Sequence, residues 1–310
     1  MRYDHHREPP LFAKAKQEFV KTLAGLGIQV AGRLVREQHE RFVRECPCHR
    51  HALLFPTGQL PGLVGLSVVD PITSDQGWAF SDGPDCIPDN VGGAAYLHEI
   101  YTRAEPAYSG RVTVPVLWNK AENTIVNNES SEIIRMFNSA FERAGANAET
   151  ADFYPQELRA EIDAINDVVY PNVNNGVYRC GFATSQDAYG EAFDRLFDCL
   201  DDLEARLAKQ RYLVGGRLTE ADWRLFSTLL RFDIVYYGNF KCNKKHVYEY
   251  PNLWNYTCEL YQHPGIAEVT NLDHIKRGYY GLMPRTNPSG VVPKGPAIDF
   301  TQKHDRGRFS

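Results

Sequence analysis

The sequence predicts an α/β domain followed by an all-α domain. Up to about residue 150, short apolar runs are separated by Pro and Gly, which is typical of alternating strands and helices. Beyond that point, apolar residues recur every three or four positions over long segments, as on one face of a helix. Because strands and helices alternate first and helices then follow alone, we expect two domains that meet within residues 140–155.

The composition excludes several classes of protein. Of the 310 residues, 43% are apolar and 24% are charged, as in ordinary globular proteins. The formal net charge of −5 argues against a nucleic-acid partner bound through a large basic face. No apolar run approaches the roughly 18 residues that a transmembrane helix needs, and the first 30 residues lack the apolar core of a signal peptide. We therefore expect a cytoplasmic protein without a membrane partner.

Four elements are predicted in the first domain, in this order: a buried strand over residues 63–69, a helix over 93–108 that ends by Pro106, a strand over 112–118 and a short strand over 124–126. Capping and acidic residues from Asn127 onward then precede an apolar helix, as the start of a helix prefers.

Helical patterns continue through the second domain, over residues 155–169, 187–209 and 249–262. Another helix begins at Thr219, where the side chains of Thr219 and Asp222 are spaced to cap each other's amides. From Met283 the chain is rich in Pro and Gly, which predicts a non-helical tail on the surface.

The seven cysteines are irregularly spaced, which indicates mostly reduced thiols in a reducing compartment. Cys46 and Cys48 stand in the run Cys-Pro-Cys-His-Arg-His, where neighbouring cations favour a nucleophilic thiolate. A zinc site made of these cysteines with His49 and His51 is an alternative, although structural zinc sites usually pair two ligand clusters and the sequence contains no second one. A purely structural role is the third interpretation.

Two further motifs carry possible binding chemistry. Pro115 lacks the amide that a central strand needs, so it suits either an edge strand or a cis bond that turns the backbone of Val114 toward a ligand. The second motif, around Glu129 and Ser130, is an ordinary helix cap or a helix N-terminus that binds a carboxylate. An acid and a hydroxyl beside those amides could hold both charged groups of an amino acid.

In this order, the three motifs resemble the glutathione transferase superfamily, and within it the omega-like Xi class, the glutathionyl-hydroquinone reductases. The resemblance extends from about Leu60 to the end of the chain. Its most specific stretches are residues 108–118, 124–137, 174–184, 231–236, 239–242, 273–276 and 287–293.

The resemblance implies a thioredoxin-like N-terminal domain that binds glutathione and an all-α C-terminal glutathione-transferase domain. The corresponding limits are an atypical segment over residues 1–59 that contains the cysteine motif, the remainder of the thioredoxin-like domain over 60–145, the helical domain over 150–282 and a tail over 283–310. It also implies a homodimer, glutathione as co-substrate, aromatic glutathione conjugates as partners and no metal.

In the family, a cysteine thiolate attacks the sulfur of a glutathionyl-hydroquinone, and a second glutathione resolves the mixed disulfide. The resemblance makes Cys46 this nucleophile. It assigns glutathione to Trp78, Arg111, Val114, Pro115, Glu129 and Ser130, and the hydroquinone to Tyr178, Tyr236 and Tyr279.

The sequence departs from the family around the nucleophile. The family motif is Cys-Pro-Trp-x-His-Arg, and the run at Cys46 is one position shorter; counting back from Leu60 places Cys48 at the nucleophile's distance instead. Residues 33–45 are charged and favour a helix where an apolar strand is expected, and Pro56 ends the following helix early. The alternative function is therefore a non-catalytic glutathione-binding or interaction protein with a disrupted first strand.

Overall fold

The computed structural model of the protein describes residues 64–139 and 152–309. These two ranges belong to two compact units, and each is described by itself below. Cys46 and Cys48 lie outside the described residues, and so does most of the predicted domain boundary. The domain limits predicted from the sequence therefore stay predictions.

The described part of the first unit consists of a helix, an antiparallel hairpin and a second helix. Its elements are α1 (Leu97–Ala104), β1 (Leu117–Asn119), β2 (Thr124–Asn127) and α2 (Ser130–Ser139). In the hairpin, Trp118 of β1 lies opposite Ile125 of β2. The core forms where one face of α1 packs on the hairpin, through Leu97, Ile100, Tyr101, Ala104 and Ile125.

Helix α1 is shorter than the helix predicted over residues 93–108. Asp89 accepts hydrogen bonds from the amides of Val91, Gly92 and Ala94, and this holds the preceding chain in a turn. The helix then begins after Tyr96, whose amide donates to the Glu99 carboxylate over 3.2 Å. Local side-chain hydrogen bonds therefore delay the start of the helix.

The strand predicted over residues 63–69 is wrong over its described part. A single antiparallel bridge joins Val68 to Ile87, and Leu66 is 51% exposed. Asn90 gives the reason, because its side-chain amide donates to the Leu66 carbonyl and its backbone amide donates to Ser67 Oγ. Those bonds occupy groups that a neighbouring strand would need.

The strand predicted over residues 112–118 is reduced to β1, which begins at Leu117. Pro115 has no amide to donate. The Thr113 amide and carbonyl both bond to the hydroxyl of Tyr101, at 3.3 and 2.8 Å. This backbone is therefore bound to a side chain instead of to another strand.

The second unit is mainly helical over its described residues as far as Leu282. Its α-helices are α3 (Arg159–Val169), α4 (Gly176–Gly181), α5 (Gln186–Leu207), α6 (Glu220–Arg231), α7 (Tyr237–Asn239), α8 (Pro251–Tyr261), α9 (Ile266–Val269) and α10 (Leu272–Leu282). Three short 3₁₀ helices lie at Gln156–Leu158, Val247–Glu249 and Arg306–Phe309, and two π-helical segments at Tyr170–Asn174 and Phe232–Tyr236. No helix among the described residues has the length and apolarity to span a bilayer.

Helix α5 confirms the helix predicted over residues 187–209. Its N-cap is Ser185, whose hydroxyl accepts from the Ala188 amide over 3.2 Å. The predicted apolar face is buried apart from Phe193, which is half-buried. The buried members of that face are Ala192, Leu196, Phe197, Leu200, Leu203 and Leu207.

The predicted reciprocal cap at the start of α6 is confirmed. One oxygen of the Asp222 carboxylate accepts from the Thr219 amide, and the other accepts from the Leu213 amide and the Tyr256 hydroxyl, each within 2.9 Å. Burial raises the pKa of Asp222 to about 6, and the hydrogen bonds act in the opposite direction. One carboxylate thus joins the start of α6 to the loop before it and to α8.

Most residues of the C-terminal tail are exposed, as predicted, but Arg306 near its end is buried. Arg306 is 0% exposed. Its guanidinium donates to the carbonyl of Leu207 at 2.8 Å and to those of Gln210 and Arg211 at 2.6 Å. The last carbonyls of a helix have no partner within the helix and carry partial negative charge, so a cation stabilises them. Arg306 therefore caps the C-terminal end of α5 from a distant part of the chain.

Arg306→Ala is expected to lower the free energy of unfolding by about 2–4 kcal/mol, because three backbone carbonyls lose a charged donor. Thermal and urea unfolding of the full chain measure the change. Arg308→Ala is the matched control: this side chain is 39% exposed, and losing its surface ion pair is expected to cost less than about 1 kcal/mol. Equal losses in the two variants would contradict the capping role.

Candidate functional site

The Val114-Pro115 peptide bond is cis, and Pro115 is buried. The Val114 side chain packs against the core cluster around α1. Neither the amide nor the carbonyl of Val114 makes a backbone hydrogen bond to any described residue. An unpaired amide and carbonyl on one residue can pair with an extended peptide, as the edge of a sheet does.

The start of α2 is organised by Asn127. Its side-chain oxygen accepts from the Glu129 amide and its side-chain nitrogen donates to Glu132, both at 2.6 Å. Glu129 is exposed, whereas the Ser130 hydroxyl is buried and has no hydrogen-bond partner among the described residues. Buried hydroxyls are nearly always paired. A ligand oxygen at the helix N-terminus would satisfy this one and meet the positive end of the helix dipole.

The two motifs of the first unit lie next to each other. The Asn128 side chain, which precedes Glu129, approaches the Thr113 hydroxyl to 3.4 Å, and Thr113 precedes Val114. Trp78 is half-buried against the same core cluster as Val114. Arg111 is exposed, and its carbonyl accepts from the Tyr108 hydroxyl over 2.6 Å. The structure thus places Val114 beside the start of α2.

The three predicted substrate tyrosines of the second unit meet at their hydroxyls. The distances between the hydroxyl oxygens are 3.0 Å for Tyr178 and Tyr236, 2.7 Å for Tyr236 and Tyr279, and 2.5 Å for Tyr178 and Tyr279. All three side chains are at most 4% exposed. Three hydroxyls carry three hydrogens, which is enough for three mutual bonds. We call these residues the tyrosine cluster.

The tyrosine cluster comes from three separate helical segments. Tyr236 is the last residue of the second π-helical segment, Tyr178 lies in α4 just after the first one, and Tyr279 lies in α10. A π-helical turn rotates the residues that follow it relative to a regular helix, and such turns often occur at functional sites. The irregular turns therefore help to aim two of the three hydroxyls.

Phe240 and Gly181 complete this arrangement, although sequence reasoning gave them no role. The Phe240 ring lies 5.3–5.9 Å from the rings of all three tyrosines. A Cβ on Gly181 would come within 2.4 Å of Phe240. Both residues lie in the stretches that carry the family resemblance, and this resemblance is the signal in the sequence that points to them. Gly181 is therefore required for Phe240 to pack against the tyrosine cluster.

Three of the described cysteines are poor nucleophiles because burial raises the pKa of their thiols. Burial raises the pKa of Cys199 to about 11 and that of Cys258 to about 12, and it raises the pKa of Cys242 well above its ordinary value. These thiols stay protonated at neutral pH. The proposed nucleophiles, Cys46 and Cys48, lie outside the described residues, and so does the alternative zinc cluster.

No group of three or more His, Cys, Asp or Glu side chains within residues 64–139 and 152–309 is arranged to hold a metal ion. The order helix, hairpin, helix, followed by a helical unit, matches the α/β domain and the all-α domain that the sequence predicts.

Comparisons with known proteins support this two-domain arrangement. The family described as "Glutathione S-transferase, C-terminal domain" matches residues 186–257. The chain is 51% identical over 253 residues to the glutathionyl-hydroquinone reductase PcpF of Sphingobium chlorophenolicum, which covers 81% of this chain and 80% of that protein.

Two solved structures are similar along most of their length. The glutathione-bound structure of YqjG, a glutathione transferase homolog from Escherichia coli K-12, has a TM-score of 0.81 at 46% identity and covers 85% of each chain. The Xi class GST from Natrialba magadii has a TM-score of 0.80 at 43% identity, covering 89% of this chain and 86% of that one. The chain belongs to the glutathione transferase family and, within it, to the Xi-class glutathionyl-hydroquinone reductases.

This membership confirms the predicted fold, a thioredoxin-like N-terminal domain followed by an all-α glutathione-transferase domain, and the prediction that the chain is an enzyme of this kind. The roles assigned to individual side chains stay predictions, as does the homodimer.

Gly181→Ala is expected to lower the free energy of unfolding by about 1–3 kcal/mol, because the added methyl group forces Phe240 out of its position. Thermal unfolding measures the loss. Gly190→Ala is the matched control, since Gly190 lies in α5 with no atom within 4 Å of a Cβ built on it. A control that loses as much stability as Gly181→Ala would show that the contact with Phe240 is not the cause.

Proposed function

We propose that the protein reduces glutathionyl-hydroquinones to hydroquinones with glutathione as co-substrate. The structural observation that carries the proposal is the tyrosine cluster, in which three phenolic hydroxyls from distant segments converge in one buried place. The similarity to a protein named glutathionyl-hydroquinone reductase supports the same reaction.

The first unit would hold glutathione along its length. The amide and carbonyl of Val114, beside Pro115, make no backbone hydrogen bond to the residues that the structure describes, and they suit the peptide backbone of the tripeptide. Glu129 would bind the ammonium of the γ-glutamyl residue, and Ser130, with the amides at the start of α2, would bind its carboxylate. The buried Ser130 hydroxyl without a partner among the described residues supports this placement. Trp78 and Arg111 would contact the rest of the tripeptide.

The reaction would proceed by thiol–disulfide chemistry. The thiolate of Cys46, or of Cys48, attacks the glutathione sulfur of the conjugate and forms a disulfide with it. The bond between that sulfur and the aromatic ring breaks, and the ring carbon keeps the electron pair and takes up a proton. A second glutathione thiolate then attacks the mixed disulfide, which releases glutathione disulfide and restores the cysteine.

The tyrosine cluster would bind the hydroxyl groups of the aromatic ring. Negative charge develops on the ring and its oxygens as the carbon–sulfur bond breaks, and hydrogen bonds to that charge lower the barrier. A tyrosine that now donates to another tyrosine could donate to a substrate oxygen instead, so no new group has to be ordered. Tyr178, Tyr236 and Tyr279 therefore act in the proposal as donors that are already positioned.

Cys46→Ala is expected to lower turnover of a glutathionyl-hydroquinone by more than about a hundredfold while glutathione binding is kept, because the nucleophile is removed. Turnover is followed by chromatography of the released hydroquinone. Mass spectrometry after one turnover without added glutathione should show one glutathione adduct in the wild type. Cys86→Ala is the control and should keep both turnover and adduct.

The same experiment separates the alternatives. Full turnover in Cys46→Ala with loss in Cys48→Ala would make Cys48 the nucleophile. Turnover in both variants would contradict a nucleophile in this motif. Glutathione binding by the wild type with neither adduct nor turnover would favour the non-catalytic binding protein, whose motivation is the charged stretch over residues 33–45.

Tyr236→Phe is expected to lower kcat by about one to two orders of magnitude and to leave glutathione affinity unchanged, because it removes one donor from the tyrosine cluster. Steady-state kinetics with a glutathionyl-hydroquinone and calorimetry with glutathione measure the two quantities. Tyr250→Phe is the matched control: this buried hydroxyl donates to Asp201, outside the cluster. An unchanged kcat in Tyr236→Phe would contradict the assigned role.

A further inference from the structure

One buried hydroxyl of the first unit touches both of its binding motifs. The Tyr101 hydroxyl donates to the Thr113 carbonyl at 2.8 Å and accepts from the Asn128 side-chain amide at 3.1 Å and from the Thr113 backbone amide at 3.3 Å. A phenolic oxygen has one hydrogen and two lone pairs. The Thr113 hydroxyl also lies 3.3 Å away, so the Tyr101 oxygen is fully hydrogen-bonded.

The Tyr101 side chain is held by the helix and not by either motif. It is fully buried on α1, in the core cluster that also contains Ile100 and Ile125. The Tyr108 ring packs on it with the ring centres 5.0 Å apart. Because close-packed side chains have little freedom, the position of the hydroxyl is set by the core.

The residues that it binds directly precede the proposed glutathione contacts. Thr113 precedes Val114, and Asn128 precedes Glu129. Asn128 also approaches the Thr113 hydroxyl to 3.4 Å, so both segments meet at the Tyr101 hydroxyl. A ligand that binds both segments at once is held best when their separation is fixed beforehand, since ordering them on binding costs free energy.

We infer that Tyr101 is a positioning residue that fixes the separation between the Val114 backbone and the start of α2, so that one glutathione molecule can be bound by both. The inference rests on the proposed glutathione site and adds to it a residue that does not touch the ligand. Losing the hydroxyl should leave both motifs present but free to move apart.

Calorimetric titration of the full chain with reduced glutathione tests this directly. Tyr101→Phe keeps the ring in the core and removes all hydrogen bonds of the hydroxyl, and the dissociation constant for glutathione is expected to rise about tenfold. Two controls lie on the same helix. Ile100→Val loosens the core without touching the hydrogen bonds, and Thr102→Val removes a hydroxyl that bonds only to carbonyls of α1. Both should keep wild-type affinity.

A double-mutant cycle separates positioning from general destabilisation. Asn128→Ala removes the exposed side of the same network, and should weaken binding by several-fold. If Tyr101 acts through Asn128, the glutathione dissociation constant of the double variant should be at most about twice that of Tyr101→Phe. Should Tyr101→Phe fail to fold, Asn128→Ala and Thr113→Val test the network from its other members.

Three results would overturn the inference. They are wild-type affinity in Tyr101→Phe, an equal loss of affinity in Ile100→Val at a matched fall in Tm, and fully additive losses in the cycle. Wild-type protein that does not bind glutathione would instead remove the proposed function together with the inference. The first titration of the series therefore distinguishes the two failures.

Discussion

Both units depend on one constraint, which is that polar groups removed from water must find hydrogen-bond partners inside the protein. In the first unit, Tyr101 serves the backbone of Thr113 and the side chain of Asn128. In the second, Asp222 joins the start of α6 to α8, and Arg306 donates to the last carbonyl of α5. Two exceptions among the described residues are informative for the same reason. Ser130 has a hydroxyl without a partner there, and Val114 makes no backbone hydrogen bond there; both lie where a ligand is proposed to bind.

The tyrosine cluster applies the same constraint to three side chains of one kind. Phenolic hydroxyls in an apolar interior must be paired, and three of them satisfy one another. The Phe240 ring packs against the tyrosine rings, and Gly181 leaves the space that Phe240 needs. A cluster satisfied in this way is stable without a ligand and can still exchange one internal bond for a bond to a substrate oxygen. Stability before binding and readiness for binding therefore come from the same hydroxyls.

Local patterns predicted much of this protein correctly because their physics is local. The apolar face of α5 follows helical periodicity, and the residues of the cap, Thr219 and Asp222, are three positions apart. Predictions failed where distant groups competed for the backbone. Asn90 holds the carbonyl of Leu66, and Tyr101 holds the backbone of Thr113, so neither predicted strand forms over its full length. The tail lies largely on the surface, as its Pro and Gly content predicts, but Arg306 is buried because it donates to backbone carbonyls of distant residues.

By itself, the sequence determined the family, the two-part fold and which residue types could carry the chemistry, because motifs and periodicity are properties of neighbouring residues. Only the tertiary structure decided that three tyrosines separated by 58, 43 and 101 positions share their hydroxyls. It likewise decided that Val114 lies beside the start of α2 and that Tyr101 stands between them. Such meetings depend on the packing of whole helices, which no local stretch of sequence encodes.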